Sequence, residues 1–166
     1  MLKIIICLSA AALLLSSCGK KEIADTNQSL DAKMLLDTEK AEELLQYTPV
    51  GSYEDSYTKS IARYDSEPIG KDPIIVELYA HNDKKSAEDI YNDFKKRHEE
   101  RTDAEDVTEY DAEAFLAYPS VNIYKDGYMV VVTAGSGADD AQKQLLLKAG
   151  AVAADNLCAY IKKNPK

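Results

Sequence analysis

The chain has 166 residues, with 20 Lys and Arg against 29 Asp and Glu, a net charge of −9, and 45% hydrophobic residues. Such a length and composition suit one globular domain able to bury a sizeable core. The acidic balance argues against nucleic acid as a partner, because phosphate backbones are held mainly by Lys and Arg, and it equally disfavours docking of a domain face on anionic lipid.

At the N-terminus Lys3 precedes an apolar run from Ile4 to Leu15. A membrane-spanning helix needs about 20 apolar residues, whereas the core of a secretory signal needs about 7 to 15, so the length points to an export signal. The run stops in Leu15-Ser16-Ser17-Cys18-Gly19, which resembles the lipobox of bacterial lipoproteins. That resemblance implies removal of residues 1–17 as a signal peptide and a thioether-linked diacylglycerol on Cys18, the first mature residue. Two acyl chains, at about 0.8 kcal/mol per buried methylene, give stable membrane anchoring where one is marginal. The expected location is the cell membrane, lipid-anchored, on its extracytoplasmic face. The mature chain would carry 19 basic against 29 acidic side chains, or −10. Of the three cysteines, Cys7 leaves with the signal and Cys18 is acylated. Cys158 alone stays in the folded part, so no internal disulfide is possible and a buried thiol among Leu157, Ala159, Tyr160 and Ile161 is expected. Residues 18–30 are polar without periodicity and read as a lipidated cysteine plus flexible tether. Residues 31–166 read as a single globular domain.

Within that domain, Leu30 to Tyr47 has helical spacing of Leu30, Met34, Leu35, Ala41, Leu44 and Leu45, with Asp31 or Asp37 able to cap and Asp37 a candidate break. Pro49 and Gly51 end it. Tyr57 to Asp65 predicts a strand, and Ile74 to His81 a clearer one, with Ile74, Val76, Leu78 and Ala80 alternating against Ile75, Glu77, Tyr79 and His81. Asp83 can cap a helix whose Ala87, Ile90, Tyr91, Phe94 and His98 form one stripe. Glu99 to Glu113 reads as acidic and irregular. Ser120 to Lys125 and Tyr128 to Thr133 flank Asp126-Gly127, a tight-turn dipeptide that sets Ile123 opposite Val130 and Val121 opposite Val132 as a core face. Tyr124, Met129 and Val131 take the other face. Ser136, with Asp139 three places on, has capping-box spacing for a final helix through about Lys163. The order α-β-β-α-β-β-α predicts an α+β fold, an antiparallel sheet of about four strands with helices packed on one face.

Three stretches carry a resemblance: Val76-Glu77-Leu78-Tyr79, the run from Asp83 through Ile90 to Arg97, and Gly127-Tyr128-Met129-Val130-Val131-Val132. Over roughly Asp37 to Thr133 the chain resembles a bacterial lipoprotein family of unknown function (domain of unknown function 4358), which implies an envelope location and this fold, and no known activity.

Candidate chemistry is sparse. His81 and His98 lie on different elements with no Cys or His at ligand spacing, so neither zinc nor another metal is expected. The eight carboxylates of Glu99 to Glu113 lack the spacing that wraps calcium and read as a solvated loop. Gly135-Ser136-Gly137 reads as strand exit and helix cap rather than a phosphate cradle. Arg97 suits the helix dipole or the acidic loop. No cofactor or catalytic residue is indicated. Eleven tyrosines are the remaining feature, and Tyr64, Tyr79, Tyr124 and Met129 are a candidate partner-binding face opposite the core, suited to an envelope protein, peptide or glycan. The plainer alternatives are that tyrosine suits half-exposed strands, or that a helix covers this second face. The functional expectation is a non-enzymatic binding or accessory lipoprotein of the cell envelope. The alternative is an envelope hydrolase or carbohydrate-active enzyme whose carboxylates, from Glu77 and the acidic segment, converge in the fold.

Overall fold

The computed structural model describes residues 29–56, 59–66, 72–80, 84–101, 103–135 and 139–165. The signal segment, Cys18 and most of the tether therefore lie outside the described residues, as do His81, Asp83 and Ser136.

The first helical stretch divides in two. Asp31 caps α1 (Ala32–Leu35) by accepting from the Met34 N–H, and Asp37 caps α2 (Thr38–Leu45) by accepting from the Lys40 N–H. Between them Leu36 is extended. The break lets two consecutive leucines, Leu35 and Leu36, both become fully buried, which a continuous helix, turning 100° per residue, would not favour. Three side chains from elsewhere hold this stretch. Ser60 Oγ accepts from the Ala32 N–H at 2.7 Å, Asn156 Nδ2 donates to the Leu35 carbonyl at 3.0 Å, and the Tyr64 hydroxyl donates to the Leu36 carbonyl.

Among the described residues seven strands follow: β1 (Val50–Asp55), β2 (Ser60–Asp65), β3 (Ile74–Ala80), β4 (Ala104–Asp106), β5 (Glu113–Ala117), β6 (Ser120–Lys125) and β7 (Tyr128–Ala134). Helix α3 (Lys84–Glu100) sits between β3 and β4, and α4 (Asp140–Lys163) closes the chain. All seven strands form one antiparallel sheet in the order β1-β2-β3-β7-β6-β5-β4. The fold is thus α+β on an antiparallel sheet, but with seven strands where the sequence predicts about four. Strands β1, β4 and β5 are the unforeseen ones.

The hairpin has the predicted register, Ile123 opposite Val130 and Val121 opposite Val132. Its turn is formed by Asp126 and Gly127, both at positive φ, 49° and 85°, the conformation whose twist matches that of the flanking strands. Asp139, not Ser136, caps α4, accepting from the Gln142 N–H at 2.8 Å.

The sheet is covered unequally. On the first face α1, α2 and α4 enclose the main core, built from Leu35, Ile74, Val76, Leu78, Val121, Ile123, Val130, Val132, Leu146 and Leu157. On the second face α3 packs alone over β7, β6 and β4, burying Ala87 and Tyr91 against Phe115, Ala117, Met129 and Val131. Helices therefore cover both faces, which corrects the one-sided expectation. The reason is visible in β5 and β7, where both alternating sets of side chains are mainly apolar and each needs a cover.

Tyr64 gives the first core an alkaline liability. It is 3% exposed, and burial first, then the nearby Asp37 and Asp31, pushes its phenol up to about 12. The folded chain keeps this proton while an unfolded tyrosine releases it near pH 10. The unfolded state then binds fewer protons, so stability falls as pH rises from 10 to 12, by about 1.4 kcal/mol per pH unit. Urea unfolding across this range should show a slope shallower by about that amount in Tyr64→Phe. Equal slopes in the two chains would contradict the assignment.

Candidate functional site

Of the four residues that sequence reasoning singled out for a partner, three lie on the second face and one on the first. Tyr64 is on the first face, in the core, because it alternates with Ala62 and Ser60 while Ile61, Arg63 and Asp65 point to the second. Met129 is on the second face but fully buried under α3. Tyr124 stacks on Tyr91 of α3, with ring centroids 5.5 Å apart, and is half-buried. Tyr79 stands at the border of the covered part, packed in part against the α3 cluster and beside Lys59. The predicted tyrosine face is therefore divided, because a helix occupies half of it and the phase of β2 turns Tyr64 inward.

What remains open is the β1–β2–β3 half of the second face, over which no helix packs among the described residues. Here Ser52, Glu54, Ile61, Arg63, Ile75 and Glu77 line a cleft of about 230 Å³. The register explains the grouping: Glu54, Ile61 and Glu77 form one row across three strands, and Ser52, Arg63 and Ile75 form the next. Ile61 and Ile75 are half-buried and make an apolar floor. Charges border it in pairs. Lys59 Nζ lies 2.8 Å from Glu77 Oε1 and 5.5 Å from the Tyr79 ring centroid, and Arg63 Nε lies 2.7 Å from Asp65 Oδ2. The hydrogen bond it donates to Glu77 raises the Lys59 ammonium above its ordinary value, and burial, then Glu77, raises the Tyr79 phenol. At neutral pH the cleft thus offers one ammonium, one guanidinium, carboxylates and a neutral phenol around two isoleucines. It can hold a partner by contact and hydrogen bonding. Of its lining, sequence reasoning singled out Glu77, as a carboxylate. The alternation of Ile61, Arg63 and Asp65 against Ala62 and Tyr64 was the available signal for β2, and none was available for Ser52 and Glu54.

A larger cleft, about 510 Å³, opens at the far end beside the hairpin turn, lined by Glu88, Tyr110, Asp111, Ala112, Glu113, Tyr124, Lys125 and Asp126. Its cation is engaged: Lys125 Nζ donates to the Asp111 carbonyl at 2.7 Å and lies 3.3 Å from Asp111 Oδ1. Cys158 is buried beneath, its thiol donating to the same carbonyl at 3.1 Å and pushed up by burial, which leaves little thiolate to react.

The carboxylates of the acidic segment are exposed to solvent, and four of the eight also have ion-pair partners. Asp103 meets His98, Glu105 meets Lys143, Asp106 meets Lys95, and Asp111 meets Lys125 and Lys162. Arg97 pairs instead with Asp93 on its own helix, 2.8 Å away, and covers the Phe94 ring. Glu77 does not converge with these carboxylates. Strand β3 and strand β5 are separated by β7 and β6, about 14 Å at the usual inter-strand spacing, beyond the separation of a carboxylate pair in glycoside hydrolysis. Among the described residues no three His, Cys, Asp or Glu side chains group to hold a metal ion, and no helix is long and apolar enough to cross a membrane. Comparisons with models of protein families, with curated proteins and with solved structures found no match. The site is therefore read from its own residues.

Proposed function

We propose that this chain is a lipid-anchored, extracytoplasmic binding protein of the cell envelope, tethered through Cys18, that holds a partner against the open half of its sheet. The observation that carries the reading is the uneven cover. Three helices seal one face and α3 seals half of the other, yet Ile61, Ile75 and Tyr79 stay half-exposed between ordered ion pairs. A half-buried apolar floor with a polar border is the composition of a contact surface. The N-terminal run ending in Leu15-Ser16-Ser17-Cys18 supports the address.

A photo-crosslinking residue placed at Ile75 in living cells should give a discrete adduct in the membrane fraction, and one placed at the exposed Asn92 of α3 should not. Cys18→Ser should abolish labelled-palmitate incorporation and, with it, the Ile75 adduct. Equal adducts from both positions, or palmitate labelling that survives Cys18→Ser, would refute the respective half of the proposal.

A further inference from the structure

The sheet has two edges of different character. Strand β4 is three residues long, and Lys143 and Lys95 bind its Glu105 and Asp106, both at 2.7 Å. A short edge dressed with charge is the usual protection against pairing with another chain. Strand β1 has six residues, all exposed, and Val50–Asp55 contains no Lys, Pro or bulge to block its outer side. Val50 and Tyr53, 46% and 41% exposed, are the exposed large hydrophobic residues among those described, and both lie on this strand. Glu54 and Asp55 enter no ion pair among the described residues.

From this edge we infer that β1 receives an extended basic peptide segment of a partner, which adds to the sheet as an eighth strand. The inference rests on the binding role proposed above and names the partner's chemistry. Main-chain hydrogen bonds to the free edge would supply affinity, and side chains beside β1 would supply selection. Alternation sets the pattern. Val50, Ser52 and Glu54 share the second face with Arg63, while Gly51, Tyr53 and Asp55 share the first with Tyr64. The two carboxylates are adjacent in sequence and so point to opposite faces. An added strand would meet them with two consecutive basic residues, followed by apolar residues beside Tyr53 and Val50. Opposite charges across neighbouring strands favour this register, and the chain's net charge of −9 disfavours a second copy of itself in the same place.

The test uses the full chain in detergent and a capped octapeptide of two lysines followed by valine, two threonines, valine and two threonines, which sets valine beside Tyr53 and Val50. Fluorescence anisotropy should show saturable binding. Glu54→Lys combined with Asp55→Lys should weaken it about tenfold or more. N-methylating alternate peptide residues should abolish binding in one phase and spare it in the other, since only every second N–H of an added strand faces β1. Equal binding in both phases, no binding, or self-association through β1 in sedimentation would overturn the inference. The crosslink at Ile75 separates the two readings. Should the peptide fail while the Ile75 crosslink persists, the open face stands and the strand addition falls.

Discussion

Phe115→Ala should destabilise the domain by about 3 to 5 kcal/mol, the range for emptying an aromatic site in a packed core. Phe115 is fully buried, meets the Tyr91 ring edge-on with centroids 5.4 Å apart, and lies 6.1 Å from the His98 ring. The magnitude discriminates between two architectures. Were all helices on the first face, Phe115 would face water and its removal would cost within about 0.5 kcal/mol. With α3 in place, the loss is a large fraction of the 5 to 15 kcal/mol that holds an ordinary domain together. Urea unfolding gives the number, and hydrogen exchange should show the amides of α3 losing protection first. A loss under about 1 kcal/mol would mean that α3 does not seal this face.

Gly150→Ala sets two effects of opposite sign against each other. Within a helix, alanine is favoured over glycine by about 1 kcal/mol. Here, however, a Cβ on Gly150 would stand 2.6 Å from the Tyr110 hydroxyl and 2.6 Å from a methyl of Val121. Val121 is fully buried in β6 and cannot retreat freely, and the Tyr110 hydroxyl is fixed by its 2.6 Å bond to the Leu147 carbonyl. Overpacking costs about 1 to 3 kcal/mol, and a strained hydrogen bond adds about 1. The expected net loss is about 1 to 3 kcal/mol by chemical denaturation. Val121→Ala in the same chain should recover part of it, because it removes one of the two obstructing atoms. A stabilised Gly150→Ala chain would show that α4 does not approach β6 as described.

Both predictions depend on parts of the fold that differ in how plainly the sequence announces them. The β6–β7 hairpin was readable because Asp126-Gly127 is a local conformational requirement, and its register followed from the turn alone. Strand β3 was readable because one face is sealed and the other half-open, so burial alternates. Strand β5 was not, since Ala114 and Leu116 face one core while Phe115 and Ala117 face the other, leaving no alternation. Strand β1 failed for the converse reason. It buries nothing, so burial leaves no periodic mark on Val-Gly-Ser-Tyr-Glu-Asp. The stripe on α3 declared an amphipathic helix but not which side of the sheet it covers, a matter of topology. Of the candidate site, Glu77 and Tyr79 fell on the expected face of β3, whereas Tyr64 turned inward with the phase of β2. Cys18 was read from its neighbours alone and lies outside the described residues.

The clamps on α1 bear on how the domain hangs from whatever lies upstream. Tension entering at Ser29 meets Leu30, then a backbone gripped at Ala32 by Ser60, at Leu35 by Asn156 and at Leu36 by Tyr64. Those grips come from β2 and from α4, elements remote in sequence that both contribute to the main core. Tension on the chain at Ser29 would thereby be spread over β2 and α4 instead of peeling the first turn away as a loose end.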